Sequence, residues 1–274
     1  MDIASVQRMQ EKTALVLSAG GMFAAYQAGV WKAIASAFRP DIIVGASAGA
    51  LNGWVIAGGC TPEELIARWT DPDTANWMRF RAPGFDARVQ ELFARYSPRL
   101  PFGVVVVEAA TLKSRLIQSN HITWRHLAAS CSIPLMFPSQ RIEGKSYVDG
   151  GLMNVLPLWA AREMGATRAV AINALPALPS RVLRLAAGAM RRLRPQERRP
   201  VEGLQVIHIA PSAPMGSLTD AVRWKRDCIE RWIDLGYRDG QSITMRLYAE
   251  LPDLSPEGDG AAALPRSTPR FGDS

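Results

Sequence analysis

The stretch Ile42-Ile43-Val44-Gly45-Ala46-Ser47-Ala48-Gly49-Ala50-Leu51-Asn52 decides the fold. It reads as a buried strand, a sharp turn and the start of a helix. The turn has the form G-x-S-x-G. Glycines two before and two after Ser47 remove side chains where strand and helix crowd, so a strained turn can hold the hydroxyl up. Ser47 then stands at the amino end of a helix, whose dipole favours a developing negative charge. The same pentapeptide also suits a plain glycine-rich turn, so the role of the serine depends on the rest of the chain.

Upstream, Thr13-Ala-Leu-Val-Leu-Ser18 is a continuous apolar run that ends in a loop of small residues, Ala19-Gly20-Gly21-Met22-Phe23. A central parallel strand followed by a helix over Ala24–Phe38 is expected, ended at Arg39-Pro40. Ile42–Ala46 and Ala48–Gly58 form a second such unit. Two strand-loop-helix units in succession predict an α/β fold with a central, mostly parallel sheet in three α/β/α layers. Downstream, Thr61-Pro62-Glu63-Glu64 is a helix start with cap, proline and acids in place. Asp71–Gly84 reads as loop and Asp86–Tyr96 as helix. Phe102–Glu108 is another buried strand, which Leu112–Gln118 extends or pairs. Thr123 caps a short helix, and Cys131–Ser139 reads as loop. Arg141–Val148 is a hairpin turning at Glu143-Gly144 and running into Asp149-Gly150-Gly151. Leu158–Met164 reads as a helix stopped by Gly165. Strands follow at Arg168–Asn173 and Leu204–Ala210. One long helix over Ser217–Gly236 puts Val222, Ile229, Trp232, Ile233 and Tyr237 on one stripe.

The chain has 274 residues, 48% of them hydrophobic, enough for one large α/β domain or two small ones. Cys60, Cys131 and Cys228 are too scattered for a disulfide framework or a metal site and suggest a reducing compartment. No run of about 18 apolar residues exists, so no transmembrane helix is expected. The apolar run at Thr13–Ser18 is too short for a signal-peptide core, and a cytoplasmic protein is the expectation. The net charge is +7. Seven arginines against Glu197 place +6 of it between Ser180 and Pro200. There Val182, Leu183, Leu185, Met190 and Leu193 interleave with the arginines. That pattern fits either a solvated insertion or a basic amphipathic helix making peripheral contact with an anionic membrane. No basic patch interleaved with aromatics runs through the body, so no nucleic-acid partner is expected.

A serine hydroxyl needs a base within hydrogen-bond reach and donors for the oxyanion. Gly20 and Gly21 offer backbone N–H groups beside Ser47 if the first two strands are neighbours. Asp149, between a strand and two glycines, is placed to present a carboxylate on a loop, although turn aspartates often cap their own backbone. A Ser47–Asp149–His208 triad has the α/β-hydrolase order. It is disfavoured because only 46 residues precede Ser47 and because His208 sits inside the apolar run Val206-Ile-His-Ile209. His121 and His126 flank a helix start with no supporting motif.

Three blocks resemble the patatin-like phospholipase family: Leu17-Ser-Ala-Gly-Gly-Met-Phe-Ala-Ala-Tyr-Gln-Ala-Gly-Val30, Gly45-Ala-Ser-Ala-Gly49 and Asp149-Gly-Gly151. Ala129-Ser-Cys-Ser-Ile-Pro-Leu-Met-Phe-Pro138 and Leu152-Met-Asn-Val-Leu-Pro157 resemble it too. The resemblance implies a Ser-Asp dyad without histidine. In it Ser47 is the nucleophile on the elbow of Gly45 and Gly49, Asp149 is the general base, and Gly20 and Gly21 form the oxyanion hole. It implies hydrolysis of lipid or fatty-acyl esters through an acyl-enzyme, with no cofactor and no metal. On this reading residues 13–250 form one catalytic domain, 1–12 an N-terminal extension and 251–274 a disordered tail. The family loop usually reads G-G-G-x-R-G, whereas Ala19, Phe23 and Ala24 stand here at the first glycine, the arginine and the last glycine. If the first position needs a positive φ, the alanine costs on the order of 1 kcal/mol. A relative disabled by this loop, binding lipid without turnover, is one alternative. A dinucleotide-binding domain is another, since Asp41 lies 20 residues after Gly21. However, Ala19–Ala24 is not G-x-G-x-x-G, and Asp41 precedes the second strand.

Overall fold

Continuous apolar runs form the centre of the sheet, because a strand covered by helices on both faces has no solvent side on which to place polar residues. The computed structural model describes residues 11–74, 84–134, 136–176 and 201–250. In it β1 (Thr13–Leu17), β2 (Ile42–Ala46) and β3 (Phe102–Glu108) are buried at every position. β2 and β3 run parallel, as do β1 and β2; β7 (Arg168–Ile172) and β8 (Gln205–Ile209) continue the parallel set beyond β1. β4 (Lys113–Gln118), β5 (Gln140–Ile142) and β6 (Lys145–Asp149) add antiparallel members, giving the order β5-β6-β3-β2-β1-β7-β8 with β4 also on β3.

Alternate residues of each strand supply two cores. Leu15, Leu17, Ile43, Val104 and Val106 face one side, with α1 (Ala25–Ile34), α2 (Ala48–Ala57) and α8 (Arg226–Glu250). Ala14, Val16, Val44, Val105 and Ala171 face the other, where α6 (Leu158–Glu163) lays down Trp159, Ala160 and Ala161. The fold is the expected three-layer α/β/α arrangement around a mostly parallel sheet.

The register of β3 positions the site. β2 leaves the sheet after Ala46, which lies opposite Val105. β4 occupies the other edge of β3 from Gly103 to Glu108, so β6 must share the β2 edge. It arrives there from the opposite direction, with Asp149 opposite Val106. Asp149 therefore takes the position that β2 vacates, head to head with the turn after Ala46.

Local signals act as the residues dictate. Thr61 and Glu64 form a reciprocal capping box at the start of α3 (Pro62–Thr70). α4 (Phe85–Arg95) and α5 (Trp124–Ser130) lie at the expected places, and Thr123 caps α5. The hairpin turns at Glu143 (φ 48°) and Gly144 (φ 78°), the two positive φ values of a type I′ turn.

Two helices differ from expectation. The helix over Ala24–Phe38 begins as a 3-10 turn, Gly21–Ala24, before α1. The helix expected over Ser217–Gly236 is two: α7 (Leu218–Val222) and α8, separated at Arg223, whose backbone is extended. Trp224 turns its indole toward α3 and donates from Nε1 to Trp69 O (3.0 Å), which fixes the break. The stripe is correspondingly shorter. Ile229, Trp232 and Ile233 are buried, Val222 belongs to α7, and Tyr237 is 36% exposed beneath Lys32. Gly236 does not stop the helix. A Cβ at Gly236 would lie 2.1 Å from Tyr26 O, and one at Gly29 would lie 1.9 Å from Ile233 O. These glycines let α1 and α8 pack backbone against backbone. The basic segment 180–200, the tail 251–274, residues 1–10 of the N-terminal extension and 75–83 of the expected loop lie outside the described residues.

Candidate active site

Ser47 has φ 55° and ψ −135°, a conformation that costs a non-glycine residue roughly 1–3 kcal/mol. The flanking glycines make the turn feasible. A Cβ at Gly45 would stand 2.5 Å from Gly49 O, and one at Gly49 would stand 2.3 Å from Ser18 O. Ser47 is the N-cap of the ten-residue helix α2, so its hydroxyl lies at the positive end of that helix. The Ser47 Oγ donates to Asp149 Oδ2 at 2.6 Å, with both residues buried. The other carboxylate oxygen, Oδ1, accepts the Gly151 N–H at 2.7 Å. Burial pushes the Asp149 carboxyl up to about 7, against the lowering effect of the Ser47 and Gly151 hydrogen bonds. Asp149 is the last residue of β6 rather than a loop residue, which gives the carboxylate the rigidity of the sheet.

The C-terminal end of α5 holds both partners, a role that the sequence pattern did not assign. Ser130 Oγ accepts the Ser47 N–H (2.8 Å) and donates to Val105 O (2.7 Å). Ser132 O accepts the Asp149 N–H (3.0 Å). Between them Cys131 is buried against the pair; burial and then the Asp149 charge push its thiol well up, while a hydrogen bond with Ser47 opposes them. The sequence signal was two small polar residues in an otherwise apolar run ahead of Asp149.

The glycine loop is held from both ends. Gln27 Nε2 donates to Ser18 O (2.8 Å), where the loop begins. Asn52 Nδ2 donates to Ala24 O (3.0 Å), where it ends, and to Gln27 Oε1 (2.9 Å). Trp69 Nε1 completes the chain on Asn52 Oδ1 (3.0 Å). Both amides are buried polar groups on apolar helices, the signal by which they stand out in the sequence. Among the described residues, no backbone carbonyl accepts from the N–H of Gly20 or Gly21, whereas the Ala19 N–H is bound to Val155 O (2.8 Å). Gly21 has φ 55°, and a Cβ there would meet Ala221 O at 2.3 Å.

Two of the three unusual loop residues, Ala19 and Phe23, are accommodated by what surrounds them. Ala19 is not among the residues with positive φ, so the conditional cost of alanine does not arise. Its methyl packs on Gly151, where a Cβ would come within 2.4 Å of it. Phe23 is buried and meets Trp232 of α8 edge-to-face, with ring centroids 4.9 Å apart. At this position the chain builds core instead of carrying a charge.

The remaining candidates lie elsewhere. His208 is exposed on the edge strand β8, two strands beyond the neighbours of β2. His121 is exposed on a 3-10 turn, and His126 Nδ1 accepts the Thr123 N–H. Asp41 Oδ2 accepts the Thr13 N–H at the start of β1, the end of the sheet opposite that at which α/β folds bind nucleotides. Cys60, Cys131 and Cys228 are free and buried. Among the described residues no helix is long and apolar enough to cross a membrane.

Comparison with known proteins follows the same residues. A model of the patatin-like phospholipase family matches residues 15–101 and 102–162, spanning both Ser47 and Asp149. Patatin-like phospholipase domain-containing protein 7 of Rattus norvegicus is 28% identical over 183 residues, covering 58% of this chain and 13% of that protein. Neuropathy target esterase sws of Drosophila melanogaster is 28% identical over 182 residues, covering 58% of this chain and 12% of that protein. The matched part thus represents about an eighth of the length of these curated relatives. Among solved structures, VipD from Legionella pneumophila aligns with a TM-score of 0.55 and 14% identity over 88% of this chain and 67% of that one, a likeness of fold.

Proposed function

The chain belongs to the patatin-like phospholipase family, and on that premise we propose that it is a serine acyl hydrolase that cleaves carboxylic esters of lipids with Ser47 and Asp149. The observation that carries this reading is the 2.6 Å hydrogen bond from Ser47 Oγ to Asp149 Oδ2 at a strained elbow. Ser47 Oγ attacks the ester carbonyl carbon as its proton passes to Asp149. The N–H groups of Gly20 and Gly21, with the α2 dipole, receive the oxyanion. The tetrahedral intermediate collapses, the C–O bond to the alcohol breaks, and Asp149 returns the proton to the departing alkoxide. Water then attacks the acyl-Ser47 ester, again giving its proton to Asp149, and the free acid leaves as Ser47 is reprotonated.

A carboxyl with a value near 7 suits this cycle, since it accepts and returns a proton at neutral pH with little driving-force penalty. The words phospholipase and esterase in the relatives' names favour a lipid ester over other acyl compounds. Hydrolysis of p-nitrophenyl butyrate by the wild type, lost in Ser47→Ala, is the expected result. Equal rates for the two proteins would refute it, and no hydrolysis by either would favour a lipid-binding relative without turnover. The basic segment 180–200 adds peripheral contact with anionic membranes to the proposal. Its deletion should weaken sedimentation with phosphatidylglycerol vesicles, and unchanged sedimentation removes that role.

A further inference from the structure

Three buried polar side chains on three successive helices form one chain of hydrogen bonds that ends on the glycine loop: Gln27 of α1, Asn52 of α2 and Trp69 of α3. Each bond in it has one possible direction. The indole N–H of Trp69 is a donor with no acceptor, so Asn52 must turn Oδ1 toward it. That puts Asn52 Nδ2 on the other side, where its two protons go to Ala24 O and Gln27 Oε1. Gln27, with Oε1 committed to Asn52, presents Nε2 to Ser18 O. Ser18 and Ala24 flank Gly20 and Gly21 in the sequence. One donor on α3 thus agrees with the polarity of both amides and completes what each end of the loop needs.

Without that donor, Asn52 Oδ1 is a buried acceptor with no partner, which is costly. It regains one by rotating toward Gln27 Nε2, and Ser18 O then loses its donor. Trp69 is itself fastened. Trp224 Nε1 donates to Trp69 O (3.0 Å) from the linker that follows α7. α7 also meets the loop directly, since a Cβ on Gly21 would lie 2.3 Å from Ala221 O. Residues 221–224 therefore touch the loop at Gly21 and hold the far end of the chain of amides.

We infer that Trp69 is a positioning residue for the oxyanion hole, acting through Asn52 and Gln27 to hold Gly20 and Gly21 against Ser47. The inference rests on the reading of Ser47 as the nucleophile and of this loop as the oxyanion hole. The loop N–H groups act on a charge that develops only as the reaction proceeds. Their displacement therefore lowers kcat and leaves KM.

Trp69→Phe removes the N–H and keeps an aromatic ring in the core. Incorporation of β-(3-benzothienyl)alanine at position 69 keeps the whole bicycle and replaces the N–H by sulfur, which preserves packing if phenylalanine does not. With p-nitrophenyl butyrate, kcat should fall at least about fivefold in both variants with KM within about twofold of wild type. The midpoint of the pH–rate profile should not move, because Ser47 and Asp149 are untouched. An alkyl trifluoromethyl ketone probes the hole itself. Ser47 Oγ adds to its carbonyl carbon, the C=O electron pair moves to oxygen as an oxyanion, and the serine proton passes to Asp149. Its affinity should fall by the same factor as kcat. Added to Gln27→Leu, Trp69→Phe should cause no further loss of kcat, because both break one chain. Unchanged kcat in a folded variant, a loss carried by KM, or losses that multiply in the double variant overturn the inference. Fluorophosphonate labelling of wild-type Ser47 separates it from the reading beneath it. Labelling with kcat indifferent to Trp69 leaves the hydrolase and removes the positioning role, whereas no labelling refutes the hydrolase and the inference with it.

Discussion

Replacing Asp149 with asparagine should stabilise the protein at neutral pH while abolishing turnover. Burial raises the Asp149 carboxyl from 3.8 to about 7 in the folded state. Because the folded value lies above the unfolded one, the group's favourable contribution is complete below about pH 3.8. It is lost as pH rises toward 7, while the unfolded chain ionises and the folded chain still holds the proton. Above 7 both states are ionised and the loss is constant. About three pH units at 1.36 kcal/mol each put that loss at about 4 kcal/mol, an upper bound that the neutral amide's weaker hydrogen bonds reduce. In a domain of this size each kcal/mol is worth roughly 2–4 °C in melting temperature. Thermal melts of wild type and Asp149→Asn between pH 4.5 and 8.5 should therefore start close together, diverge to several degrees in favour of the variant by about pH 7, and stay parallel above it. Wild-type turnover should rise about tenfold per pH unit below 7 and then level, as the base form fills. A gap that does not change with pH, or a wild type more stable than the variant at pH 8, would show that the Asp149 carboxyl is not raised by burial in the folded state.

Ser130→Ala strands the Ser47 N–H and Val105 O in the interior; a stability loss of about 1–3 kcal/mol by urea unfolding and a lower kcat are expected. Gln27→Leu removes the donor to Ser18 O and loosens the glycine loop, so kcat for a butyrate ester should fall about tenfold or more with KM little changed. Gly236→Leu forces a side chain into Tyr26 O at the α1–α8 crossing, and a loss of at least about 3 kcal/mol should appear in the same unfolding assay.

Much of the sheet was legible because each central strand is a continuous apolar run bounded by a breaker, as in Ile42–Ala46 before its glycine turn. The elbow glycines were legible for a steric reason that the geometry repeats, since a Cβ at either would meet backbone within 2.5 Å. What brings Asp149 to Ser47 was not legible. It depends on β6 joining β3 on the edge that β2 leaves, a long-range register with no local signature. Ser130 and Ser132 were hidden for a similar reason, because their partners are backbone groups far away in the chain. The continuation of α8 past Gly236 was not legible, because a glycine that ends a helix and one that admits a neighbouring helix look alike in sequence.

The measurement that most directly tests the Ser47–Asp149 pair is the rate and site of fluorophosphonate labelling, read by peptide mass mapping. Adduct is expected on Ser47 alone, with a rate that rises with pH through about 7, near-complete loss in Asp149→Asn and wild-type behaviour in His208→Ala. Adduct on another residue, an undiminished rate in Asp149→Asn, or loss in His208→Ala would contradict it.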